Sequence, residues 1–252
     1  MDRFLVSDVH LFPDPEEHPG RTRFLNFLGM LSSMTEPGEL WILGDLFDFW
    51  FEYGSVVPAG HETTVCSIKH LSRTGWKVHF IPGNHDFWVG RYFIESTGAV
   101  VHGNTTVSTN FGGRSYLLAH GDGLGAGDTG YRLIKPILRS RIANLCFRLL
   151  HPDLGIRLAR RFSDTSKRML HRQLDELPEK LLEWAERRTE EGYQVIVTGH
   201  THIDAVVDTG DGLYVSLGDW LTRFTYCRVP GDTGIPELLT YRETEETGTD
   251  VW

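Results

Sequence analysis

Leu40-Trp41-Ile42-Leu43-Gly44-Asp45-Leu46-Phe47-Asp48 is the stretch that sets the fold class. Leu40 to Leu43 is a short apolar run between Gly38 and Gly44, the pattern of a strand covered on both faces. Gly44 lets the backbone turn sharply. Asp45 then emerges at the strand's C-terminal end, where open α/β sheets place their ligands. Four further segments end in metal-type ligands in the same way: Asp8-Val9-His10, Gly83-Asn84-His85-Asp86, His120-Gly121-Asp122 and Gly199-His200-Thr201-His202.

Outward from that stretch the chain alternates. Phe4 to Ser7 reads as a strand, and Arg21 to Met34 as a helix with its apolar face at Phe24, Phe27, Leu28 and Leu31. Pro37-Gly38 breaks it. His61 to Arg73 reads as a second helix and Val78 to Ile81 as a third strand. Strand–helix–strand alternation implies parallel pairing and a layered α/β fold. Short strands follow at 100–101, 105–109 and 115–119, the last two joined by a turn at Phe111-Gly112-Gly113. Residues 131–190 read as helical, interrupted at 151–155 and near Pro178. Strands return at 194–197, 205–208, 213–217 and 222–229, and the polar, acidic tail reads as loose. The expectation is one layered domain over 1–252, with a helical cap inserted at about 125–190.

Composition narrows the class. The chain has 252 residues, 40% hydrophobic and 23% charged, ordinary for a soluble globular protein. It has no apolar run of spanning length, and its start enters a strand pattern directly, so no secretory signal is expected. Cys66, Cys146 and Cys227 are odd in number and scattered, which fits a reducing cytoplasm and small buried hydrophobes. The net charge is −9, yet residues 131–172 hold eleven Lys/Arg against only Asp153 and Asp164. A basic block in an acidic protein points to an anionic substrate or a membrane surface. The acidic remainder argues against nucleic acid as a partner.

The chemistry-bearing set is Asp8, His10, Asp45, Asn84, His120, His200 and His202. Mixed imidazole and oxygen ligands suit Mn, Fe, Co, Ni or Zn. Asp8 and His10 are two apart past a strand end, a spacing that can aim both side chains at one point; His200 and His202 repeat it. Seven ligands are too many for one metal that keeps an open position. Two metals sharing a bridging carboxylate would use them all, and such pairs, about 3.5–4 Å apart, clamp a phosphoryl group. His18, His61, His70, His79, His102, His151 and His171 read as ordinary structural histidines. Asp48 and Asp122 read as turn or supporting groups.

In those five ordered blocks, spanning residues 8–202, the chain resembles the calcineurin-like metallophosphoesterase superfamily. The resemblance implies a β-sandwich flanked by helices and two divalent ions, Mn foremost, with Zn, Fe or Co as alternatives. It implies that Asp8, His10, Asp45 and His202 hold one ion, and Asp45, Asn84, His120 and His200 the other. It makes His85 a catalytic group that protonates the leaving group or stabilises its charge, oriented by Asp86. Within the superfamily the chain is similar to the UDP-2,3-diacylglucosamine diphosphatase family of the lipid A pathway. That similarity rests on Leu43-Gly44-Asp45-Leu46-Phe47 running into aromatics, on Gly127-Asp128-Thr129-Gly130-Tyr131, on the helical insertion after it and on total length. It implies a lipid-linked nucleotide-sugar substrate held by Asn84, Asp128 and Tyr131, with Arg160, Arg161 and Lys167 as candidates for the sugar phosphate. It also implies a cytoplasmic protein with peripheral contact to the inner membrane's cytoplasmic face. Well-known members have Arg where this chain has His85, which is the wider superfamily's residue. Another phosphodiester, nucleotide-sugar or phosphomonoester substrate therefore stays open, as does a binding protein that kept the fold; oligomeric state is not legible.

Overall fold

The computed structural model describes residues 1–12, 19–53, 56, 59–103, 105–124, 135–155, 157 and 176–243. In chain order the strands are β1 Arg3–Val6, β2 Glu39–Ile42, β3 Lys77–Phe80, β4 Val100–Val101, β5 Thr106–Phe111, β6 Arg114–Ala119, β7 Val195–Thr198, β8 Asp204–Asp208, β9 Leu213–Leu217, β10 Thr225–Val229 and β11 Glu237–Thr240. The helices are α1 Pro19–Ser32, α2 Glu62–Arg73, α3 Arg91–Thr97, α4 Arg141–Arg148 and α5 Glu179–Glu190.

Two sheets form. One runs β11-β10-β1-β2-β3-β4, the other β5-β6-β7-β9-β8. β1 to β4 are mutually parallel, and so are β6, β7 and β9. The period-2 alternation of a strand explains why both faces need cover. Leu5, Trp41, Leu43 and Ile81 pack inward against Tyr116, Leu118, Val195, Val197 and Val215 of the facing sheet. Their neighbours Phe4, Val6, Leu40, Ile42, Val78 and Phe80 pack outward on Phe24, Phe27, Leu28 and Leu31 of α1, with α2 and α3. On the other side Leu117, Ile196 and Tyr214 meet Leu181, Trp184 and Ala185 of α5. The layers are helix, sheet, sheet, helix. Burying each large apolar side chain contributes roughly 1.5–3 kcal/mol.

The hairpin of β5 and β6 turns through Gly112 and Gly113, both at positive φ, as a two-residue twisted turn requires. Two elements were not expected: α3, which buries only Phe93 and Thr97, and β11, an edge strand with only Leu238 half-buried. Cys66 and Cys146 are exposed on α2 and α4, contrary to the expectation of burial; Cys227 is buried. Between 135 and 190 the described residues carry α4, α5 and shorter helical turns. Among the described residues no helix is long and apolar enough to cross a membrane.

Candidate metal centre

All five ligand segments leave the C-terminal ends of parallel strands, β1, β2 and β3 in one sheet and β6 and β7 in the other. Backbone pairing outlasts the strands. Asp8 N donates to Gly44 O (3.1 Å) and His10 N to Asp45 O (2.9 Å), and Gly199 N donates to His120 O (2.8 Å). The sheets are stitched together at the site itself, where His200 N donates to Asp8 Oδ2 (2.7 Å). The approach is close enough to demand glycine: a Cβ on Gly83 would collide with Asp45 Oδ1, and one on Gly199 with Asp8 Oδ2.

Backbone strain concentrates here. Six described non-glycine residues have positive φ, and five are predicted ligands: Asp8 (55°), His10 (50°), Asp45 (53°), His200 (71°) and His202 (59°). The sixth is Phe224. Left-handed backbone at a non-glycine residue costs on the order of 1–3 kcal/mol and persists only where surroundings enforce it.

The seven predicted ligands fall into two groups, and His10, Asp48 and His85 form a third set of side chains within reach of one another. Asp8, His10 and His202 offer atoms within 4.8 Å of one another, and so do Asp45, His120 and His200. In the first, His10 Nε2 lies 3.3 Å from His202 Nε2 and 3.7 Å from Asp8 Oδ1. In the second, His120 Nε2 lies 3.3 Å from Asp45 Oδ2 and 2.9 Å from Asn84 Oδ1, so Asn84 joins it. Asp45 Oδ2 is also 3.8 Å from His10 Nε2, which puts this carboxylate between the groups. Asp8 and His10 do meet at one point, whereas His200 and His202 divide between the two groups.

The donor set fits divalent cations. Asp8 Oδ1 is buried without a hydrogen-bond partner. Burial opposes charge on Asp45, yet His120, His85 and His10 outweigh it and hold the carboxyl well below its usual range. Burial likewise disfavours the imidazolium of His10, but Asp48 and Asp8 overcome it and raise its pKa to about 9. For His120, burial is overcome by Asp45, to about 10. His200, buried and facing His120, is lowered to about 4 and is neutral. The protein's carboxylates thus concentrate positive charge between them, as protons or as metal ions.

Supporting groups orient the ligands. His120 Nδ1 donates to Leu43 O (2.8 Å). His10 Nδ1 lies 3.6 Å from Asp48 Oδ1, and His202 Nδ1 3.5 Å from Asp219 Oδ2. Asp219 was missed in the sequence, although Leu217-Gly218-Asp219 repeats the signature Leu43-Gly44-Asp45 at another strand end. Asp86 departs from its expected role. Its carboxylate accepts from Gly83 N (2.8 Å), Leu46 N (2.8 Å), Asp45 N (3.3 Å) and Phe47 N (3.4 Å), so it ties two ligand loops together. His85 is oriented instead by Asp48, whose carbonyl accepts from Nδ1 at 2.8 Å. Asp128, Tyr131, Arg160, Arg161 and Lys167 lie outside the described residues.

Residues 3–204 match the family model of the calcineurin-like phosphoesterases. A UDP-2,3-diacylglucosamine hydrolase of Pseudomonas entomophila is 31% identical over 87% of this chain and 91% of its own. One from Porphyromonas gingivalis is 29% identical over 94% of this chain and 97% of its own. Among solved structures, Vps29 of Cryptosporidium parvum aligns over 96% of this chain and 92% of its own, at 16% identity and TM-score 0.47. On the family match, the chain belongs to the calcineurin-like phosphoesterases and is a metal-dependent hydrolase.

Proposed function

We propose that the protein hydrolyses the pyrophosphate of UDP-2,3-diacylglucosamine, releasing UMP and 2,3-diacylglucosamine 1-phosphate in lipid A biosynthesis, with two Mn ions as resident metals. One observation carries the reading. Two His/Asp groups converge about one carboxylate in a chain whose relatives, about 30% identical over most of its length, are named for that substrate. In this reading Asp8, His10, Asp45 and His202 hold one ion, and Asp45, Asn84, His120 and His200 the other. Such a pair, when bound, polarises a phosphoryl group and lowers the pKa of water.

The chain's own residues do the rest. With Nδ1 committed to Asp48 O, His85 presents Nε2 to the site, 3.9 Å from Asp45 Oδ2. Burial, countered by Asp45 and reinforced by His10, lowers its pKa. Nε2 is then the atom that takes the proton given up by the attacking water and passes it to the departing oxygen. Demand for acid is small, because the leaving group is itself a phosphate whose second pKa is about 6. Asp86 keeps Asp45 and Gly83 in place.

Residues 125–190 act as the cap in this proposal, with Asp128, Tyr131, Arg160, Arg161 and Lys167, together with Asn84, at the substrate. The described part of the cap supports a lipid ligand. Ile142 is 75%, Leu145 61% and Leu149 82% exposed, and Arg141 and Arg148 share their helix. That mixture suits acyl chains beside anionic head groups and peripheral contact with the cytoplasmic face of the inner membrane.

The test is Mn-dependent hydrolysis of UDP-2,3-diacylglucosamine beside the deacylated nucleotide sugar and an aryl phosphodiester. UMP release confined to the acylated substrate is expected. Equal rates on all three would leave a broader phosphodiesterase. No turnover despite two bound ions would favour a binding protein.

A further inference from the structure

The first described turn of the cap, from residue 135, grips the loops that carry Asn84 and His120. Lys135 Nζ donates to Asp122 O (2.8 Å) and pairs with Asp122 Oδ2 (2.8 Å). One turn on, Arg139 Nη2 donates to Gly83 O (2.9 Å) and reaches Asp122 Oδ2 at 3.3 Å. The guanidinium also stands 5.5 Å over the Phe87 ring. Asp122 is only 2% exposed and follows His120 by two residues, and Gly83 immediately precedes Asn84. Arg139 therefore touches both loops whose side chains, Asn84 and His120, meet at 2.9 Å. On the other group, supports come from Asp48 and Asp219, both outside the cap.

We propose that Arg139 is a positioning residue that braces the Asn84 and His120 loops from the cap, so that the second metal binds only as tightly as the cap is seated. A planar, forked guanidinium suits this task because it can satisfy a carbonyl and a carboxylate together. Lys135 pairs with Asp122, and among the described hydrogen bonds of the cap only those of Arg139 reach the Asn84 loop. The coupling is reciprocal: filling the second site steadies the cap, and loosening the cap weakens that site. The inference rests on the dinuclear reading above.

Calorimetric titration of Mn into the metal-stripped full chain tests it without any substrate. The wild type takes up two ions. Arg139→Gln leaves the first ion within about threefold and weakens the second by about ten- to a hundredfold, the range for losing a group that orients metal ligands. Arg139→Lys recovers part of that loss, since an ammonium reaches one acceptor. The first ion serves as the folding control, because a damaged fold loses both. Two ions bound equally well by Arg139→Gln and wild type, or both weakened alike, overturns the brace while leaving the dinuclear reading intact. A wild type that takes fewer than two ions overturns both.

Discussion

The edge of the sandwich and the cap helix handle their side chains in opposite ways. At the edge, Asp8, Asp45, Asp86 and His120 are all buried, five ligand positions hold left-handed backbone, and amides from both sheets converge on the carboxylates. On α4 no residue is buried; Ile142 and Leu145 face out, as does Leu149 just past its end. What ties α4 down is Phe147, lodged among Phe49, Phe51 and Trp88 at ring distances of 5.7, 4.7 and 4.9 Å. Chemistry that needs sub-ångström placement sits where the fold is over-determined. The cap helix, for which the proposed function is recognition of acyl chains, sits where little packing would be lost by moving.

The sharpest way to break this contrast is to alter the shared carboxylate. Asp45→Asn keeps shape and an oxygen for His85 N, which now donates to Oδ1 at 2.9 Å. It removes the charge that both groups share. Turnover of an aryl phosphodiester with Mn should fall at least ~10³-fold, about 4 kcal/mol of barrier. The circular dichroism spectrum should be unchanged. Retention of activity within tenfold would mean that the two groups work independently.

A second test probes the helix layer behind the edge. His61 is 1% exposed, packs on Phe47 and Trp50, and among the described residues has no hydrogen-bond partner for either ring nitrogen. Burial, aided by Arg21, lowers its pKa to about 4 from 6.5. A depressed folded pKa means that the unfolded chain takes the proton first as pH falls. The stability involved is whole above about pH 6.5 and is lost towards pH 4, about 3 kcal/mol in all. His61→Phe should remove that dependence. The comparison is urea unfolding of the metal-stripped proteins at pH 7 and pH 5. Parallel losses in both proteins would place the acid sensitivity elsewhere.

Metal uptake should itself move protons. His10 and His120, raised to about 9 and 10, each carry a proton at pH 7 that a metal must displace. Apparent Mn affinity should fall as pH drops from 8 to 6, by up to about tenfold per unit for each proton released. Calorimetry at pH 7 in two buffers of different ionisation enthalpy counts those protons. Uptake with none released would remove His10 and His120 from the ligand set.

The two regions also differ in how far they could be read from sequence. Leu40 to Leu43 was legible as a doubly covered strand because every residue of that run is apolar, and it packs on both faces. The ligand set was legible because five segments repeat one device, a strand followed by a turn and a ligand. Its geometry was not. Left-handed φ leaves no mark on Asp or His, so spacing alone does not divide His200 from His202 between the two groups; only the family resemblance implies that division. Asp86 was misassigned because its partners are backbone amides, which have no residue identity. Asp219 was overlooked although it repeats the strand–Gly–Asp pattern. In the cap, basic and apolar residues alternate at a spacing that fits either packing or display, and composition does not choose between them.

The smallest effect expected falls on that choice. Ile142→Ser, Leu145→Ser and Leu149→Ser together remove three exposed apolar side chains from α4 and its C-cap. Surface changes of this kind shift stability by about 0.5 kcal/mol or less each, and all three side chains are exposed. Melting and turnover of an aryl phosphodiester should therefore stay near wild type. KM for the acylated nucleotide sugar should rise about tenfold, the loss of roughly two buried methylene groups' worth of contact. If melting falls by several degrees instead, α4 buries that face in solution and the cap is no looser than the edge. If turnover of the small substrate falls in step with the large one, the helix supports the metals rather than the acyl chains, and the division of labour between the two regions fails.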